Sequence, residues 1–391
     1  MPISRPFWIL PVIVCAAFAG SSIWFASNAV LGDIQQAWGI SASALGHVTT
    51  AVQFGFIAGT LAFAVFAISD RFSPRWVFFY CCLLGALANL ASGFIADDFY
   101  SLLVYRVLTG FFLAGIYPIG MKIAAGWYRA DLGKAIGYLV GALVLGTAFP
   151  HLLKGFALEH DWRMLLASIS GVAACGGLLM LALVPDGPFL SKIPAKFDPR
   201  ALAAVFKLPA FRASALGYFG HMWELYALWA FVPVALTVYG VSNIALWSFI
   251  IIAVGSAGCA GGGLLSLHFG SARVAFVQLA VSGLCCLLSP LLFDAPITVF
   301  LVFWIIWGIA VAGDSPQFSA MNARYAPTQL VGSSLTIVNC IGFSITIVSI
   351  QMVNYLVEIV DPKFVFLTLA VGPMLGLLAL RPLLQPIRED R

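Results

Sequence analysis

The sequence predicts an all-α integral membrane protein with about twelve transmembrane helices in two pseudo-symmetric bundles of six. Three observations predict it. The 391 residues are 62% hydrophobic and 9% charged, against about 45–50% apolar and about 25% charged in soluble domains. Apolar runs of the roughly 20 residues needed to cross a bilayer recur from end to end. The two halves also carry matching motifs at a constant offset.

The spans are predicted at 7–31, 43–68, 76–96, 99–125, 132–153 and 162–184, then at 212–238, 244–267, 274–293, 297–322, 330–353 and 363–384. A membrane barrel would instead show alternating segments of about 10 residues. The first run is longer than a signal-peptide core and no A-x-A cleavage pattern follows it, so it reads as a retained helix. The Pro-rich, basic segment 185–211 is the longest connection. It divides an N-terminal bundle (1–184) from a C-terminal bundle (212–391). Residues 199–208 within it read either as a short helix on the membrane surface or as solvated linker.

Loop charges set the expected orientation. Arg5, Arg71, Arg75, Arg129, Lys134, Arg273, Arg324, Arg381, Arg388 and Arg391 fall on one side, with Lys192, Lys196, Arg200, Lys207 and Arg212 of the linker. The other side has only Lys154, Arg163 and Lys363, among acids such as Asp33, Asp97, Asp98 and Asp361. Basic loops stay in the cytoplasm, so both termini are expected inside, in a bacterial inner membrane. The net charge of +4 follows from this bias and implies no nucleic-acid partner. All eight cysteines fall within predicted spans with no C-x-x-C pair, and they read as packing residues.

The internal repeat is concrete. GFFLAGIYP begins at Gly110 and GIAVAGDSP at Gly308, so Gly110, Gly115 and Pro118 correspond to Gly308, Gly313 and Pro316. The loops after the second and eighth spans echo as SDRFSPR from Ser69 and SLHFGSAR from Ser266. Parallel repeats of this kind are a transporter design. Asp70, Arg71 and Arg75 resemble the G-x-x-x-D-R-x-G-R-R loop of the major facilitator superfamily. Phe66 replaces its first Gly, Ser73-Pro74 replace Gly-Arg, and Leu267-His268 replace Asp-Arg in the second half. With twelve spans and a six-plus-six division, the resemblance covers essentially the whole chain. It implies a secondary transporter working by alternating access, with Asp70, Arg71 and Arg75 as a gating loop and spans one, four, seven and ten around a central cavity. Arg106 and Gly110 resemble the fourth-span R-x-x-x-G motif of proton-coupled members. The Gly-Pro pair that marks antiporters in span five is absent, since Phe149-Pro150 stand there.

Few ionisable groups remain inside the spans: Arg106 and Lys122 in span four, His221 and Glu224 in span seven, Asp314 in span ten, with His47 and His151 near the outer ends. A charge at membrane depth is costly and normally faces a cavity or a partner. Glu224 is therefore the expected proton-coupling residue, with His221 as relay one turn away and Asp314 as a second protonation site or a gate partner of Lys122. Arg106 is expected to bind an anionic substrate group or to hold Glu224 ionised between cycles. Asn28, Trp223, Tyr226, Gln317 and Lys122 are further substrate-binding candidates, and Gln53, Asn322 and Asn339 are polar residues on the same pathway.

The expected activity is proton-coupled uptake of a small, anionic organic solute. Proton-driven efflux of lipophilic compounds is the alternative, favoured by the aromatic residues around Glu224, and a non-transporting sensor or scaffold is the remote one. An enzyme is not expected: no HExxH, GxSxG or P-loop occurs, and His221 with Glu224 would be only two ligands of a metal site. The expected partners are substrate, protons and the lipid bilayer, with no cofactor or metal, and the chain is expected to act as a monomer.

Overall fold

The computed structural model describes residues 6–41, 43–128, 132–156, 161–190, 198–199, 205–327 and 330–384. The first half contains α1 (Ile9–Ser21), α2 (Ala26–Ala29), α3 (Leu31–Trp38), α4 (Ala44–Val65), α5 (Ile68–Arg71), α6 (Pro74–Phe94), α7 (Phe99–Leu113), α8 (Tyr117–Trp127), α9 (Leu132–Phe156) and α10 (Trp162–Leu183). The second contains α11 (Pro209–Tyr239), α12 (Ile244–Ala253), α13 (Gly255–Phe269), α14 (Ser271–Leu292), α15 (Ile297–Gly313), α16 (Ser315–Tyr325), α17 (Val331–Ile359), α18 (Pro362–Val365) and, after one 3-10 turn, α19 (Val371–Leu384). No strand occurs among the described residues. Among the described residues, eleven helices or helix pairs are long and apolar enough to cross a membrane, and α1 adds a shorter apolar one. This is the predicted all-α membrane fold. Most of the segment 199–208, where a surface helix was one expectation, lies outside the described residues.

The chain forms two compact units, Met1–Lys196 with Ser242–Ala253 and Phe197–Val241 with Val254–Arg391. Within each unit helices approach closely through glycine. In the first, a Cβ on Gly55 would strike the carbonyl of Val107, and one on Gly110 the carbonyl of Val52, so α4 and α7 pack backbone to backbone. In the second, a Cβ on Gly258 would strike the carbonyl of Ile309 in the same way. Large apolar side chains such as Leu84, Val104, Leu264 and Leu375 stay exposed. That suits a surface whose solvent is lipid rather than water.

Five spans predicted as continuous helices are interrupted, span eight at Val254 and span twelve by the 3-10 turn Phe366–Ala370 among them. The breaks in spans one, four and ten have identifiable reasons. Span one stops at Ser21 and runs through turns at residues 22–25. There Ser22 Oγ donates back to the Ala19 carbonyl at 2.7 Å, and Trp24 N–H reaches the Ser21 carbonyl at 3.0 Å. Span four breaks between α7 and α8, and span ten at Asp314 between α15 and α16. Proline causes both: Pro118 and Pro316 cannot donate to the carbonyls four residues earlier and their rings crowd them. The Cys259 thiol donates to one of those carbonyls, Ala312, at 3.2 Å. The breaks thus fall at the same position of the internal repeat. At its other end, α7 opens on a capping box in which Asp98 accepts from Ser101 N–H at 2.7 Å and Ser101 Oγ accepts from Asp98 N–H at 3.2 Å.

Candidate functional site

In the first unit the central group is Arg106 on α7, fully buried. Its guanidinium donates to the Ile23 carbonyl at 3.1 Å, to Asn89 Oδ1 at 3.3 Å and to the Trp24 carbonyl. Asn89 on α6 is fixed in turn, its amide donating to the Leu166 carbonyl at 3.2 Å and to Ser170 Oγ at 3.0 Å. A planar fork with five donors suits this task, because the turn in span one leaves carbonyls that lipid cannot satisfy. Arg106 is thereby the clasp of the broken first span. Beside the break, Asn28 donates to Thr49 Oγ1 at 2.7 Å, while its own Oδ1 and both amide atoms of the buried Gln53 find no hydrogen-bond partner.

Lys122 on α8 belongs to the loop between α4 and α6. It pairs with the Asp70 carboxylate and donates to the Ser69 carbonyl at 2.6 Å. Asp70 therefore meets a side-chain cation, and the structure brings Lys122 together with Asp70 rather than with Asp314. Arg71 is exposed and Arg75 half-buried. Ser73 ties the same loop to the start of the linker by donating to Asp186 at 2.8 Å.

The second unit holds the acids. Glu224, in the middle of α11, is buried, and three donors converge on its Oε1: Ser282 Oγ at 2.5 Å, Trp307 Nε1 at 2.6 Å and Cys286 Sγ at 3.3 Å. Its Oε2 has no partner. One helical turn earlier, His221 Nδ1 lies 2.8 Å from Asp314 Oδ1, and both residues are buried. The approach is close without being a straight hydrogen bond, and Asp314 Oδ2 and His221 Nε2 are both without partners. So His221 serves Asp314 in this structure, where the sequence suggested a relay to Glu224. Asp314 itself sits in the break of span ten, at the entry to α16, where the positive end of a helix dipole favours a carboxylate.

The remaining candidates separate. Gln317 is buried on α16, one turn past Asp314. Tyr226 is buried against Trp229 and Phe343, with ring centroids 5.3 and 5.2 Å away. Trp223 turns elsewhere: its indole donates to the Thr368 carbonyl at 3.2 Å, and its ring lines an apolar groove with Gly372 and Leu375. Sequence reading missed the groups that hold the charged residues, namely Asn89, Ser282, Cys286 and Trp307. Cys286 reads as packing and Trp307 as one aromatic among many. Only the polar side chains of Asn89 and Ser282 inside apolar runs gave a signal. Among the described residues, no cluster of three His, Cys, Asp or Glu side chains could hold a metal.

Residues 12–350 match the family model described as Major Facilitator Superfamily. The chain belongs to that superfamily. Superfamily members are transporters rather than enzymes, and the chain is a multi-pass integral membrane protein. It is similar to the gallate transporter of Pseudomonas putida, 26% identical over 226 residues, an alignment covering 56% of this chain and 47% of the relative. It is also similar to a niacin transporter of Acinetobacter baylyi, 27% identical over 165 residues, covering 41% and 36%. These alignments span about half or less of the length of either relative. Among solved structures of the superfamily, a D-xylose–proton symporter superposes with a TM-score of 0.77 over 97% of each chain at 15% identity, a likeness of fold alone.

Proposed function

We propose that the protein is a secondary active transporter that takes up a small organic acid together with protons by alternating access of two six-helix bundles. The observation that carries the proposal is the pair of buried acids in the second unit, each with an open oxygen: Glu224 Oε2 and Asp314 Oδ2. A carboxylate inside a membrane protein that has unfilled acceptor capacity can load a proton without dismantling the bonds already made. Protonation of Glu224 at Oε2 leaves the three donors on Oε1 in place. Protonation at Asp314 weakens its attraction to His221 and so acts on the break in span ten, where half-helices build the sites of many transporters. His221 is then the group that senses the charge of Asp314.

Arg106 takes a different part in this reading. Its donors hold the turn of span one and so the backbone that leads into Asn28, while Gln53 stands on α4 one turn past Thr49, the partner of Asn28. Those amides are the substrate contacts proposed in the first unit, and Tyr226 and Gln317 are those proposed in the second. The names of the gallate and niacin transporters support a small organic acid as substrate. The loop charges support an orientation with both termini in the cytoplasm, and a monomer is sufficient for the cycle.

The test is reconstitution in lipid vesicles with gallate and nicotinate as probes. A proton gradient, acid outside, should drive either acid inward above its equilibrium level, and a protonophore should abolish the accumulation. Accumulation that persists with the gradient collapsed contradicts proton coupling. Proton-driven extrusion of a lipophilic dye without movement of either acid contradicts the substrate class.

A further inference from the structure

The two halves treat the cations near the ends of spans four and ten differently. In the first unit, the positive charge at the end of span four, Lys122, is neutralised by Asp70 of the loop after span two. At the repeat offset Lys122 falls on Ala320, and the end of span ten carries its cation one turn further on, at Arg324. The corresponding loop reads SLHFGSAR, with Leu267 in place of the acid and Arg273 in the position of Arg75. Arg324 and Arg273 line a common cavity of about 240 Å³, closed on one side by Gly270, Ser271 and the start of α14 and on another by Leu384. Among the described residues, no carboxylate lines that cavity. Among the described residues neither arginine has an ion pair, and the only charge-specific contact of Arg324 is with the Tyr325 ring, 6.0 Å away.

We infer that this cavity is a binding site for a phosphate group, which supplies the negative charge that Asp70 supplies in the other half. Guanidinium forks pair with phosphate oxygens in bidentate fashion. The free N–H groups in the first turn of α14 add donors on the same side. Leu267 and Leu264, exposed on α13 ahead of the cavity-lining Phe269, would lie along the acyl chains if the phosphate belongs to a phospholipid. Basic pockets between transmembrane helices on the cytoplasmic side take anionic headgroups in this way, and the loop-charge bias assigns this end of the unit to that side. The shared chemistry of the ligand is a phosphate oxyanion. A phosphatidylglycerol headgroup and free inorganic phosphate are its two sources.

The experiment uses the full chain in two arms. In the first, it is placed in nanodiscs of phosphatidylcholine with and without phosphatidylglycerol, and lipid retained after detergent extraction is counted by native mass spectrometry. In the second, detergent-purified chain is titrated with inorganic phosphate and followed by thermal shift. The wild type should retain phosphatidylglycerol or be stabilised by phosphate. Arg273→Gln/Arg324→Gln should lose either response by about tenfold or more. Leu267→Asp, which restores an internal acid at an exposed position, should weaken it similarly while leaving the melting temperature without ligand unchanged. Retention of lipid identifies a headgroup, and stabilisation by phosphate alone identifies the free ion. No response in either arm, or responses that all three proteins share equally, overturns the site.

Discussion

Spans four and ten are one helix written twice, and the comparison between them locates the chemistry. Both break at the same repeat position, ahead of Pro118 and Pro316. In span four the break is apolar, at Ile116, and the buried charge about three turns away is Arg106, whose two Nη groups donate to Ile23, Trp24 and Asn89 while Nε has no partner. In span ten the break is itself a carboxylate, Asp314, facing His221 and keeping one oxygen open. A buried cation whose hydrogen bonds go to backbone carbonyls is part of the scaffold. A buried acid with spare acceptor capacity can change its protonation. Duplication supplied the same bent helix to both units, and the residue placed in the bend decides which one can titrate.

Breaking the titratable side should have the largest effect. Asp314→Asn keeps the shape of the bend but removes the charge facing His221, so proton-driven accumulation of substrate in vesicles should fall to the level of empty vesicles. Exchange of labelled for unlabelled substrate, which needs no net proton movement, should continue. Accumulation at the wild-type rate would mean that the bend is not a coupling element.

On the scaffold side, Arg106→Lys should cost about 3 kcal/mol, because one ammonium cannot reproduce the forked bonds and carbonyls in the broken first span are left unsatisfied in a dry interior. Thermal unfolding in detergent measures this. A rescue by lysine would show that charge, rather than the fork, is what span one requires. A smaller change, about 1–2 kcal/mol, is expected for Trp307→Phe, which removes one of the three donors to Glu224. It should also alter the pH profile of transport, whereas a purely structural tie would lower the melting temperature and leave that profile in place.

The smallest effect lies outside the membrane. The Ser101 backbone N–H and hydroxyl hold the Asp98 carboxyl below the usual carboxylate range. A depressed pKa in the folded chain gives a contribution that is present above the unfolded value and lost as pH falls through the folded one. Asp98→Asn should therefore differ slightly from wild type near neutrality in thermal melts, and the difference should shrink on acidification.

Much of this was legible in the sequence. Apolar runs gave the spans because a helix must be apolar for about 20 residues to cross lipid. The Gly-Pro spacing in spans four and ten gave the repeat, and the cost of intramembrane charge singled out Arg106, Glu224 and Asp314. The pairing of those charges was not legible. His221 and Glu224, three apart, share a helix face but stand about 4.5 Å apart along the axis, and each level meets different neighbours: Asp314 for one, and Ser282, Cys286 and Trp307 for the other. Nor was the break in span one, because Ser21 and Ser22 are ordinary in an apolar helix until a guanidinium from another span takes the carbonyls of Ile23 and Trp24. Lys122 was mispaired for a related reason: its long stem reaches the loop at Asp70, which the sequence separates from it by 52 residues.

The central claim is that a buried acid of the second unit changes protonation during transport. Infrared difference spectroscopy on the reconstituted protein, between substrate-free and substrate-loaded states, tests it most directly. The account predicts a carbonyl stretch of a protonated carboxylic acid that changes on loading and disappears in Glu224→Gln or Asp314→Asn. A difference spectrum with no such band, or one unchanged in both variants, would contradict it.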